Sequence, residues 1–220
     1  CIRDRIKIAL YNSKKEIGTV LKSLADSFSK KGEEFAHIIK MGRTQLQDAV
    51  PMTLGQEFEA YAITLEEEIE RLNQNAGLFL EVNMGATAIG TGINTHPEFG
   101  RRVANHLALQ TGIAFVEAVD HFEANAHRDG LAESQGQIKS IAMTLFSIAN
   151  NIRWLGSGPR CGISEVILTD RQPGSSIMPG KVNPVMCESM MQAAVRVMGN
   201  DTAMTLGGAA GGNFQLNTMM

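Results

Sequence analysis

The sequence has 220 residues, of which 44% are hydrophobic and 20% charged, the balance of a soluble globular protein with one large domain or two small ones. A net charge of −3 offers no basic face for nucleic acid and no lysine-rich helix for a membrane surface. No signal peptide or unbroken apolar run suggests export or a bilayer span.

Aromatic residues are 5% of the chain, against 12 Met, which favours packed helices over a β-sandwich. Cys1, Cys161 and Cys187 are too far apart for a zinc pattern or a disulfide framework, so a reducing, cytoplasmic setting is expected. The chain begins at Cys and ends at Met219-Met220 without a capping signal, so a piece of a longer protein is expected.

Residues 2 to about 30 predict an amphipathic helix, with Ile6, Leu10, Ile17, Leu21 and Leu24 on one side and Gly32 ending it. Residues 40 to 56 predict a polar inter-helix connection, in which Thr53 and Gln56 form a capping box. There Arg43, Thr44, Gln45 and Gln47 either present donors to a small anion or are ordinary loop polarity. A long helix is predicted from Thr53 to about Val82, along the stripe Tyr61, Leu65, Ile69, Leu72, Ala76 and Leu80, with Glu66, Glu67, Glu68 and Glu70 in solvent. Nearly 30 residues would make a rod of roughly 45 Å, the length of a bundle helix.

Residues 83 to 97 form a small-residue segment with Gly85, Gly90 and Gly92. Its spacing matches neither a P-loop nor a dinucleotide fingerprint, so it predicts a loop with close backbone approach, and His96 is a loop residue. Pro97 to about Gln110 predicts a short helix ended by Gly112. Residues 120 to 155 predict a second long helix with a 3.5-residue stripe of Ile138, Ile141, Leu145, Ile148, Ile152 and Leu155. His121 and His127 are read as structural. Gly156-Ser-Gly-Pro159 breaks this helix. A last helix after Pro184 is predicted to stop near Gly199-Asn200-Asp201, and no segment reads as a buried strand.

The segment Gly174-Ser-Ser-Ile-Met-Pro-Gly-Lys-Val-Asn-Pro184 combines two glycines, two prolines, a serine pair, a lysine and an asparagine. By composition it is a turn-rich connector or a hinged loop able to face a ligand. Asn183 as N-cap and Pro184 as first helical residue would put Lys181 and Asn183 at the positive end of the next helix.

This segment resembles the signature of the fumarase/aspartase superfamily. Gly42-Arg-Thr-Gln-Leu-Gln-Asp-Ala49 and Gly85 to Asn94 are similar to two further regions of that family, in the same order. The resemblance implies an all-α long-helix bundle, the central domain of that fold, spanning residues 1–220 and assembling into a homotetramer with a twenty-helix core. Active sites would be shared between subunits, with one site segment lying before residue 1. It implies a lyase that removes a proton beside a carboxylate and expels a group from the neighbouring carbon, giving fumarate. Ser175 would be the base, with Lys181 and Asn183 bearing the developing charge. Thr44, Gln45, Ser176, Met178 and Glu188 would bind substrate. No organic cofactor and no metal are implied. The substrate would be a small dicarboxylate: L-aspartate, malate or fumarate.

In fumarases of this family a histidine stands at the position of Gln45, paired with the glutamate matching Glu188. Glutamine takes up no proton at neutral pH. On that residue the resemblance implies aspartate ammonia-lyase activity, with class II fumarate hydratase as the alternative. Asn94 to Phe99 and Arg153 to Gly162 are more similar to fumarases. A silent helical scaffold is the remaining alternative, and joint retention of Ser175, Lys181 and Asn183 speaks against it.

Overall fold

The computed structural model describes residues 2–219. Helices dominate: α1 (Ile2–Glu34), α2 (Leu54–Asn75), α3 (Phe99–Thr111), α4 (His121–Ala126), α5 (Asp129–Leu155) and α6 (Val185–Ala210). Three two-stranded pairings complete the order. They join β1 (Ile39–Thr44) to β2 (Gln47–Thr53), β3 (Glu81–Val82) to β4 (Val116–Glu117), and β5 (Gly212–Asn213) to β6 (Leu216–Asn217). No helix among the described residues is long and apolar enough to cross a membrane. The chain divides into two compact units: one runs to Gln137 and resumes at Thr202, the other is Ile138–Asp201.

In the first unit α1 and α2 pack antiparallel. Ser29 meets Glu59, Lys22 meets Glu66, and Lys14 meets Asn75, so one sequence rises as the other falls. The capping box starts α2 as predicted: Thr53 Oγ1 accepts from the Gln56 N–H at 3.1 Å, and Gln56 Oε1 accepts from the Thr53 N–H at 2.9 Å. Leu54, Phe58, Ala62, Leu65 and Leu72 form its buried face. Phe28, Phe35, Phe58 and Tyr61 interlock edge-on where the two helices begin and end. The helix stops at Asn75 and a short 3₁₀ turn, Ala76–Phe79, follows, so α2 is about 33 Å long rather than 45 Å.

Several charged residues expected in solvent are buried. Glu68 is one; it accepts from Arg71 at 3.1 Å and from Gln137 at 2.8 Å. Arg3, Asp4 and Lys14 are buried on α1. The Lys14 ammonium lies over the Phe79 ring, 4.4 Å from its centre, and donates to Asn75 and Ser134.

The expected polar connection at 40–56 is instead the β1–β2 hairpin. Its register shifts between Met41 and Arg43, and Pro51 pairs with Met41. Both faces are largely exposed, so no alternation of apolar and polar residues marks the strands in the sequence. Val82 is fully buried in β3, where no strand was expected; with Ala104 and Phe115 it forms a small core against Ile8, Leu107 and Ile113.

Gly112 ends α3 in the left-handed conformation, its N–H bonded to Ala108 O at 2.9 Å. The glycine-rich segment makes the predicted close approach: a Cβ on Gly90 would lie 2.8 Å from the Phe122 nitrogen. The expected helix over 120–155 is interrupted between α4 and α5. Along α5, Ile141, Ile148 and Leu155 are buried and Ile138, Leu145 and Ile152 half-buried. Helix α6 passes its expected stop at Gly199 because a distant residue holds its last turn. The buried Asn217 amide donates to the carbonyls of Gly207 and Gly208 at 3.4 and 3.3 Å.

Gly55 is the tightest point between α1 and α2. A Cβ there would sit 2.4 Å from Gly32 O and 2.7 Å from Ala36 backbone atoms. Gly55→Ala is expected to cost about 1–3 kcal/mol, read as a lowered midpoint in denaturant unfolding. Burial lowers the Lys14 ammonium from the ordinary 10.5 to about 8. Between those values the unfolded chain holds more protons at this site, so its contribution to stability rises with pH across that window. Unfolding measured from pH 7 to 11 should show this rise in the wild type relative to Lys14→Met, in which the site no longer titrates.

Candidate active site

Thr44 and Gln45 lie at the tip of the β1–β2 hairpin, in the first unit. Thr44 pairs with Gln47, leaving Gln45 and Leu46 as a two-residue turn with φ of 49° and 65°. Positive φ at both central residues is the turn that matches strand twist, usually supplied by Asn-Gly. Here two residues with full side chains adopt it, at a steric cost. Both Thr44 and Gln45 are exposed. Arg43 Nε lies 3.7 Å from Asp48 Oδ1 across the hairpin, which steadies the tip.

Ser175, Ser176, Met178, Lys181, Asn183 and Glu188 all belong to the second unit. The loop 174–184 is closed on itself. The Ser175 N–H donates to Lys181 O at 2.9 Å, and the Lys181 N–H donates to Met178 O at 3.1 Å. Met178-Pro179-Gly180-Lys181 is therefore a hydrogen-bonded turn. Pro179 sets its first corner and Gly180, at φ 84°, its second, the arrangement of a type II turn. The Ser175 hydroxyl oxygen faces back into the loop and accepts from the N–H groups of Ile177 at 3.3 Å and Met178 at 3.2 Å. Two main-chain donors on one oxygen favour negative charge there. Ser175 is half-buried; Ser176, Met178, Lys181 and Asn183 are exposed.

Sequence reasoning grouped Lys181 with Asn183. In the structure they line different hollows of this unit. Lys181 borders an open groove of about 1010 Å³ with Trp154, Arg160, Asp170 and Gly180. Asn183 borders a smaller one of about 220 Å³ with Arg171, Pro184 and Cys187. The Glu188 N–H donates to Pro184 O at 3.1 Å, which puts Glu188 in the first turn of α6, where a carboxylate is favoured. Burial pushes the neighbouring Cys187 thiol up, against the pull of Arg153, so it is a poor nucleophile.

Trp154, Arg160 and Asp170 were not anticipated as lining residues. Trp154 and Arg160 lie in Arg153 to Gly162, the stretch more similar to fumarases, whereas Asp170 lies beyond it with no signal of its own. Ser157 organises that stretch: its hydroxyl accepts from the Ile163 N–H at 3.1 Å and its carbonyl from the Ser164 N–H at 2.8 Å. Among the described residues no three His, Cys, Asp or Glu side chains are placed to hold a metal ion.

Comparison with known proteins follows the same lines. A family model described as Lyase matches residues 3–199. The chain is 51% identical over 199 residues to the class II fumarate hydratase of Nitrosomonas europaea, covering 90% of this chain and 43% of the relative. It is 48% identical over 200 residues to that of Neisseria meningitidis, covering 91% and 43%. The chain thus spans less than half the length of these relatives. Among solved structures, a fumarate lyase:delta crystallin from Brucella melitensis bound to cobalt superposes with a TM-score of 0.94 at 46% identity, over 98% of this chain and 46% of that one. The class II fumarase of Schistosoma mansoni superposes with a TM-score of 0.88 at 34% identity, over 91% and 45%.

These relatives overturn the aspartate ammonia-lyase reading, which rested on Gln45. Gln45 is one exposed residue at a turn tip, where an exchange disturbs no packing. The likeness to fumarate hydratases runs through some 90% of the chain. The chain belongs to the fumarase/aspartase superfamily of lyases.

Proposed function

We propose that the whole protein is a class II fumarate hydratase, interconverting L-malate and fumarate, and that this chain is its central helical domain. The observation that carries the reading is the Ser175 hydroxyl, held by two main-chain N–H groups in a loop closed at Lys181. The names of the curated relatives support it.

In this reading Ser175 acts as an alkoxide. It takes the proton from the malate carbon beside a carboxylate, and the electron pair moves onto that carboxylate. The N–H groups of Ile177 and Met178 and the Lys181 ammonium lower the cost of the serine anion. The charge on the substrate falls to Lys181 and Asn183. Since these line different hollows in this structure, the scheme requires Asn183 to turn toward Lys181 when substrate binds. Expulsion of hydroxide from the adjacent carbon forms the double bond. Hydroxide then takes the proton held on Ser175 and leaves as water, so malate yields fumarate and water and the alkoxide is restored. Thr44, Gln45, Ser176, Met178 and Glu188 bind the dicarboxylate in this scheme. Sites completed by neighbouring subunits of a homotetramer, in the cytoplasm, belong to the same proposal.

The test is fumarate absorbance with L-malate as substrate. Ser175→Ala should lower kcat by about 10²–10⁴ while its melting temperature stays near wild type. Absence of malate turnover in the whole wild-type protein, or an active Ser175→Ala variant, overturns the reading. Gly180→Ala has room for its methyl but not the backbone freedom, since φ is 84°. It should distort the turn and reduce kcat with little change in global stability.

A further inference from the structure

In the first unit, away from the hairpin, the start of α1, the end of α4 and the start of α5 enclose a hollow of about 140 Å³. Arg3, Lys7 and Arg128 line it, with Glu81, Glu123 and Asp129. The two guanidiniums are buried, at 9% and 5% exposure, whereas Glu123 and Asp129 are exposed. The buried side of the hollow is therefore cationic and the open side acidic.

The hydrogen bonds of these cations are incomplete. Arg3 uses Nη2 on Asn125 Oδ1 at 2.8 Å, but its Nε and Nη1 have no partner. Arg128 uses Nη1 on the carbonyl of His127 at 2.5 Å and Nη2 on that of Asn217, while its Nε has none. The Asn125 amide nitrogen is unpaired as well. Lys7 donates to Glu81 O at 2.8 Å. Asp4 stands beside Arg3 and is shared with Asn83, whose N–H it accepts at 2.9 Å. The large majority of buried side-chain donors in native proteins have a partner. Burial also lowers the pKa of all three cations, Arg128 to about 10, with Arg3 pressing on it further.

The same hollow is lined by Asp129 and Gly130, the first residues of α5. The N–H groups of Leu131 and Ala132 already reach Arg128 O. Those of Asp129 and Gly130 precede the first intrahelical bonds and stand at the positive end of a 27-residue helix.

We propose that Arg3, Lys7 and Arg128, with the first turn of α5, form a binding site for a compact oxyanion, a phosphate or carboxylate group. The volume excludes a nucleotide or other drug-sized ligand. The site shares no residue with those assigned to the malate reaction and does not rest on that reading.

The test is thermal unfolding of the whole protein with inorganic phosphate, and in a second arm acetate, each against sodium chloride at matched ionic strength. A saturable rise in Tm of a few degrees is expected, in the arm whose anion fits. Lys7→Met, at the half-buried edge, should lose most of the rise, and Arg3→Gln all of it. Lys181→Met should keep it. No saturable rise in either arm overturns the proposal. So does a rise that survives in Lys7→Met, or one lost in Lys181→Met, which would put the anion at the candidate active site. If Arg3→Gln fails to fold, the contrast between Lys7→Met and Lys181→Met decides alone.

Discussion

The first unit depends on one close approach, that of the Gly55 backbone to the end of α1. With no Cβ at this point, α2 can start against Gly32 and Ala36, and the cluster of Phe28, Phe35, Phe58 and Tyr61 closes over the contact. Everything further along the pair follows in register, down to Lys14 at the far end. The polar bonds along the way set direction more than stability. Lys22 with Glu66 is an exposed pair and worth little. The Lys40–Glu57 pair is largely buried and ties the hairpin to the first turns of α2.

The candidate base is prepared differently, by the backbone of its own loop. Pro179 and Gly180 turn the chain so that Lys181 returns to Ser175, and that return leaves two N–H groups pointing at the serine oxygen. A hydroxyl is a weak base in water. In the proposed reaction, fixed dipoles aimed at the oxygen would offset that without any movement at the moment of reaction. The loop's composition thus has a mechanical meaning: the proline and glycine shape the turn, and the serine uses the donors it exposes.

Much of this was legible from residues with strong local rules. Thr53 with Gln56, Gly112 and the Pro179-Gly180 pair each act on their immediate neighbours, and each is found where its chemistry places it. What escaped depends on distant partners. Glu68 is buried because Gln137 receives it, and α6 continues because Asn217 returns to hold its end. Arg3 and Lys14 look like solvent residues on a helix until the elements packed over them are known. The hairpin was hidden because Gln45-Leu46 lacks the usual turn residues. Gln45 misled for another reason: it is a single exposed position at a turn tip, whereas the likeness to fumarate hydratases runs through some 90% of the chain.

The β1–β2 hairpin carries one more lesson. It holds Ile39 and Val50 in water at 78% and 68% exposure, and its two strands pair only with each other. Such a ribbon invites further strands to add at its rims and to template themselves copy upon copy. Pro51 removes an amide from the β2 rim, and β2 also carries the extra residue of the register slip, Ala49 and Val50 standing opposite Gly42 alone, which bends the same strand. Accretion into a continuous sheet is thereby hindered along β2.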